Sequence, residues 1–163
     1  MTSVPSHLTP LRLIQPTAID LAAAARLLNH EAADWLGTPV PAPHPGSHRF
    51  LTDLNLPIRE HAPSLTFKKA AFVDLGEMRR TADGCEVEIG WRSSSLAPLF
   101  PVFAGKLILR PNELLLEGYY APPGGEIGAA LDKAFLNIAA RGTARWFLGK
   151  AVEALRQGSN GLP

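Results

Sequence analysis

The stretch GYYAPPGGEIG, Gly118 to Gly128, joins a run of leucines to a long alanine-rich segment, and its reading decides the fold. Pro122 and Pro123 cannot donate to a strand ladder, so they end the strand before them. Gly124 and Gly125 can take the positive φ values that a tight reversal needs. Glu126 suits the first turn of a helix, where the backbone dipole favours an acid. That helix is expected to run to about Arg156 without a proline. Its apolar stripe is Ile127, Leu131, Ala134, Phe135, Ile138, Phe147, Leu148, Ala151, Val152 and Leu155. Some thirty helical residues make a rod of roughly 45 Å, as long as a domain of this size is wide. A rod that long with one dry stripe must fold back across the dry face of a sheet.

The sheet is legible upstream. Leu65 to Leu75, Cys85 to Arg92, Val102 to Arg110 and Glu113 to Tyr120 read as strands. Ala82-Asp83-Gly84 and Pro111-Asn112 supply the turns. Strand side chains alternate between faces. One parity collects Cys85, Val87, Ile89, Trp91, Phe103, Gly105, Leu107, Leu109, Leu114, Leu116, Gly118 and Tyr120, with no charge among them. The other collects Glu86, Glu88, Arg92, Lys106, Arg110, Glu113 and Glu117, which read as a solvated outer surface. Such sorting describes an antiparallel meander with one wet face.

The first third is sparser. Leu11 to Gln15 reads as a short strand ended by Pro16, and Thr17 as the cap of a helix reaching about Leu36, where Gly37 and Pro39 stop it. Val40 to Ser47 carries three prolines and is expected to hold no regular structure. Ser47 then caps a short helix, HRFLTDL. Residues 1–9 and 158–163 read as loose termini, with Gly158 and Gly161 marking the end of the last helix. The 163 residues, 46% of them hydrophobic, suit a single domain with one core.

Composition removes several classes of function. A formal net charge of +1 offers no general field for nucleic acid. No apolar run approaches the roughly 20 residues that span a bilayer, so membrane insertion is not expected. The first residues lack the basic-then-apolar pattern of a secretory signal, which makes the cytoplasm the expected location. Cys85 is the only cysteine, which excludes an intrachain disulfide and a cysteine-based zinc site. His44 and His48 lie in the proline-rich loop, and His30 with Asp34 lacks a third ligand, so no metal is expected. Gly124-Gly125 has neither a P-loop lysine nor dinucleotide spacing, and no cofactor is expected.

Several residues together resemble a known family. They are Trp91-Arg92, Leu99-Phe100-Pro101-Val102, Leu107, Leu109, Gly118-Tyr119-Tyr120-Ala121-Pro122-Pro123, Gly128 and Leu131-Asp132-Lys133-Ala134. This set resembles the START-like, helix-grip proteins of the SRPBCC superfamily, which includes polyketide cyclases and lipid-transfer proteins. Within it, the sequence is similar to uncharacterised bacterial members with a G-x-Y-x-P-P element entering the terminal helix. The likeness is good over residues 65–156; over residues 1–64 only the order of elements matches. It implies an α+β helix-grip fold: a curved antiparallel sheet wrapped around a long C-terminal helix, with one or two helices after the first strand. It also implies a cavity between sheet and helix, which superfamily members use for sterols, lipids or polyketides and where some catalyse cyclisation or dehydration. No catalytic signature of the family maps onto this sequence.

The candidate cavity wall is Trp91, Phe103, Leu107, Leu116 and Tyr120 from the dry parity, with Phe135 and Ile138 from the helix. Ordinary core packing is the plainer reading of each. Tyr120 is the candidate polar handle, since a buried phenol wants a partner. Three functions follow: binding of a small hydrophobic ligand, a cyclase- or dehydratase-type enzyme in the same cavity, or a packed interaction domain contacting a partner through SLAPLFPVF. The enzyme needs a general acid or base, for which only Tyr120 and a histidine such as His61 are at hand.

Overall fold

A computed structural model describes residues 8–57, 66–94, 102–121 and 133–160. Seven strands form one antiparallel sheet: β1 (Thr9–Pro16), β2 (Thr38–Val40), β3 (His48–Pro57), β4 (Thr66–Thr81), β5 (Gly84–Ser93), β6 (Val102–Arg110) and β7 (Glu113–Ala121). Their spatial order is β1-β7-β6-β5-β4-β3-β2. Two short helices, α1 (Leu21–Asn29) and α2 (Ala32–Trp35), follow β1, and α3 (Lys133–Asn160) closes the described chain.

The parity expected of β5, β6 and β7 is the parity seen. Cys85, Val87, Ile89, Trp91, Phe103, Leu107, Leu109, Leu114, Leu116 and Tyr120 are all buried in one core cluster. Helix α3 meets them with Ala140, Ala144, Phe147, Leu148, Ala151, Val152, Ala154 and Leu155. Its closest backbone approaches to the sheet are at the margins, to β3 on one side and to β7 and β1 on the other. The sheet therefore curls up around the helix, and side chains bridge the gap over the central strands. This is a helix-grip fold.

The wet face holds one surprise. Leu115 lies on the charged parity yet is buried, between Ile14 of β1 and Ile108 of β6 in the register of the sheet. Ion pairs flank this apolar row. Glu86 accepts from Arg79 and from Lys106 (3.3 Å). Arg110 donates to Glu113 (2.7 Å) and lies 3.2 Å from Asp83 as an ion pair. Arg49 and Asp74, opposite each other on β3 and β4, form a two-point contact of 2.6 and 2.8 Å.

Several expectations are corrected. HRFLTDL is not a helix but most of β3, whose Phe50 and Thr52 are buried while Arg49, Leu51 and Asp53 face outward. Leu51 on the outer face hides the alternation. The cap of the first helix is Asp20, whose Oδ1 accepts from the N–H groups of Ala22 (3.0 Å) and Ala23 (3.3 Å). Thr17 instead donates its N–H to Asn112 O, 3.0 Å away. The expected single helix breaks at His30 and Glu31 into α1 and α2. Strand β1 starts at Thr9 and includes Pro16, as an edge strand can. Thr38–Val40 pairs with β3 as a short edge strand. Strand β4 continues to Thr81 through a register shift between Leu75 and Met78 that re-aims its last residues. Gly158 does not end α3; it packs against Leu27 inside a helix that reaches Asn160. The PPGGEIG hinge lies outside the described residues, but the strand before it ends at Ala121 and the helix after it returns across the sheet.

Candidate functional site

The two ends of the sheet differ in their connections. At one end β4 passes to β5 and β6 to β7 through two-residue turns, 82–83 and 111–112, and the β1–α1 link docks there on Pro111 and Asn112. At the other end β3, β5 and β7 finish and β4 and β6 begin; residues 58–65, 95–101 and 122–132, which join these elements and α3, lie outside the described set. The C-terminal part of α3 sits over the turn end, because Ala151, Ala154 and Leu155 meet Leu109, Leu114 and α1 there. The void left among them is about 10 Å³, roughly the room of a single water.

Between the two ends runs a row of aromatic rings. Phe103 stacks on Trp91, with centroids 4.3 Å apart and planes at 21°. Trp91 meets Phe147 of α3 at 5.8 Å, and Phe147 meets Trp35 of α2 at 5.9 Å. The row is seated on a pair of glycines. Gly105 and Gly118 face each other across β6 and β7, and the Phe103 ring covers both. A Cβ at Gly105 would stand 2.2 Å from Glu117 O and 2.8 Å from Phe103 Cζ. One at Gly118 would stand 2.3 Å from Ala104 O and 2.9 Å from Phe103 Cζ. These glycines are needed for close approach: the ring takes the space of two missing side chains.

Towards the loop end of this row, the buried inner-face residues among those with described side chains are Ala71 and Thr52 on the sheet and Ala140 on the helix. Tyr120 is buried (6% exposed), and its hydroxyl donates to Asn137 Oδ1 at 3.3 Å. Arg141 Nε donates to the same oxygen at 3.3 Å. Asn137 and Arg141, four apart on α3, share a helix face. Arg141 also borders an open groove of about 720 Å³ that passes the β1 edge beside Pro10, Leu11, Arg12 and Tyr119.

The proposed wall residues separate in the structure. Trp91 and Phe103 form the aromatic row, Leu107 and Leu116 lie in the packed core towards the turn end, and Tyr120 faces the loop end. Phe135 falls on α3, with its side chain outside the described set. Ile138 is 39% exposed, two positions off the stripe that Ala140 and Ala144 define, so it does not face the sheet. Asn137 and Arg141 are not among the residues expected of the site, since Arg141 reads as a charge off the apolar stripe; their spacing of four on one helix face was the available signal. His61 and the greater part of SLAPLFPVF lie outside the described residues. Cys85 is buried, and burial pushes its thiol pKa up, so it stays a protonated core residue. Among the described residues no three His, Cys, Asp or Glu side chains gather as a metal site, and no helix is long and apolar enough to cross a membrane.

The sheet, its terminal helix and the interior between them define the class: the chain has a helix-grip fold. No protein-family profile matches the sequence, and no curated protein matches it. Solved structures do match. The chain is similar to the Zhui aromatase/cyclase from Streptomyces sp. R1128 (TM-score 0.56, 10% identity, 94% of each chain covered). It is similar to the di-domain ARO/CYC BexL of the BE-7585A biosynthetic pathway (TM-score 0.57, 10% identity), covering 98% of this chain and 52% of that one. A conserved protein from Geobacillus kaustophilus also matches (TM-score 0.55, 14% identity, 91% and 96% covered). Likeness at such identities is likeness of fold.

Proposed function

We propose that the protein binds a small apolar or amphipathic molecule between the sheet and α3, on the loop-end side of the aromatic row. The observation that carries this is the change of side-chain size across that row. On the turn side, large aliphatic residues fill the interior to a void of about 10 Å³. On the loop side, the buried residues with described side chains are Ala71, Thr52 and Ala140, and Tyr120 reaches across to the helix through its hydroxyl. Apolar walls with few placed polar groups are what small-molecule sites look like. In this reading Trp91 and Phe103 are the floor, Tyr120 is a wall, and Phe135 is a candidate for the helix side.

A cyclase- or dehydratase-type enzyme in the same space is the second reading, favoured by two aromatase/cyclases among the structural neighbours. It would have to use Tyr120 as its proton-transferring group among the described residues facing that side.

Native mass spectrometry of protein purified from cells, followed by titration with an anilinonaphthalene sulfonate dye, tests the binding reading. A co-purifying apolar molecule, or saturable dye uptake that Trp91→Ala alters, is expected. Neither a bound molecule nor saturable uptake would overturn it.

A further inference from the structure

We propose that Tyr120, Asn137 and Arg141 form the head-group end of this site and that its ligand is an amphipathic carboxylate, with the acid at Arg141 and the apolar body towards Trp91. The inference rests on the binding reading above and adds the ligand's charge and orientation. Two side chains from two elements, Tyr120 of β7 and Arg141 of α3, converge on one oxygen, Asn137 Oδ1, beside the groove along β1 that Arg141 borders. Both contacts are 3.3 Å long, at the weak end of their kind, so a stronger acceptor could replace that oxygen. A carboxylate is such an acceptor, and its hydrogen bonds to an ionised donor are about twice as strong as neutral ones.

The charge around the cluster points the same way. Of the three cations bordering the groove, Arg12 has Glu117 (3.8 Å) and Lys106 has Glu86 (3.3 Å). Arg141 takes part in no ion pair among the described residues. Its Nε is spent on Asn137, which leaves the two terminal nitrogens to form a fork suited to a planar carboxylate. Tyr120 is the buried member that can donate from the interior side.

A purely structural latch between β7 and α3 would share this geometry but would not tell an acid from an alcohol. Decanoate and decanol, titrated at neutral pH below their aggregation concentrations, make that distinction. Wild type is expected to bind the acid on the order of tenfold more tightly, and added salt should narrow the gap. Arg141→Gln should bring the two affinities close together, Tyr120→Phe should reduce the preference a few-fold, and Arg145→Gln, on an exposed neighbouring face, should leave it unchanged. Arg141 is exposed, so its replacement leaves the core intact. Equal affinities in wild type, or a preference that survives Arg141→Gln, overturns the head-group inference and leaves the cavity standing. Failure of wild type to bind either compound overturns the cavity reading and this inference with it.

Discussion

The turn end and the loop end of one sheet solve different problems. At the turn end, β4–β5 and β6–β7 close in two residues, α1 docks beside them, and Leu107, Leu109, Leu114, Ala151 and Leu155 pack to near-completion. At the loop end the strands are joined through longer stretches of sequence, and the buried inner residues among those with described side chains are Ala71, Thr52, Tyr120 and Ala140. The aromatic row from Phe103 to Trp35 is the boundary. In the binding reading proposed above, the turn end supplies packing and the loop end the ligand's place, a division of labour that a helix held at its margins makes possible.

The largest effect should come from the boundary itself. Phe147 is 1% exposed and its ring touches both tryptophans of the row. Phe147→Ala should cost about 3–5 kcal/mol, the range for losing a buried aromatic side chain, read as a drop in urea midpoint with little change in slope. A loss below about 1 kcal/mol would mean that the row is loosely seated and divides nothing.

Next in size is the glycine pair beneath the row. Gly118→Ala places a methyl group 2.3 Å from Ala104 O, a backbone atom that cannot turn aside. Overpacking of this kind costs about 1–3 kcal/mol, and the displaced Phe103 ring should shift the tryptophan fluorescence through Trp91. Gly149→Ala is the counterpart, since nothing lies within 4 Å of its Cβ position and the substitution suits a helix interior. If Gly118→Ala were as harmless as Gly149→Ala, the seat of the row would be elsewhere.

The contrast between the ends was only half legible in the sequence. Parity in β5, β6 and β7 needs nothing but local alternation, because each of those strands has one wet face, and so the dry set was readable residue by residue. HRFLTDL defeated the same test: its outward Leu51 breaks the alternation, and only pairing with β4 makes it a strand. Gly158 reads as a helix stop by local rules, yet it packs beside Leu27 of α1 within a helix that runs on to Asn160, and tertiary contact overrides propensity. The site suffered more. Tyr120 could be named as a buried phenol, but its partner Asn137 is set by how far α3 slides along β7, a register that no local pattern encodes. Phe103 was visible as an aromatic on the dry face; that its ring covers two glycines depends on the β6–β7 register that pairs Gly105 with Gly118.

The smallest expected effect asks whether surface charge, rather than the core, holds the turn end together. Glu86 sits on the wet face there, and its hydrogen bond to Lys106, helped by Arg79, holds its carboxyl below the usual range. A carboxylate whose folded pKa is depressed adds stability that is fully present above its unfolded pKa. That stability is lost as the pH falls through the folded value. Stability should therefore decline slightly on acidification below the ordinary carboxylate range, and Glu86→Gln should flatten that part of the profile. Because the group is only half-buried on the solvated face, salt should screen the effect and leave little to measure. Melting temperatures across an acid series, at low and high salt, separate the cases. A large decline abolished by salt would assign the order of the turn end to its ion pairs, and the aromatic row would then be a consequence of that order instead of its cause.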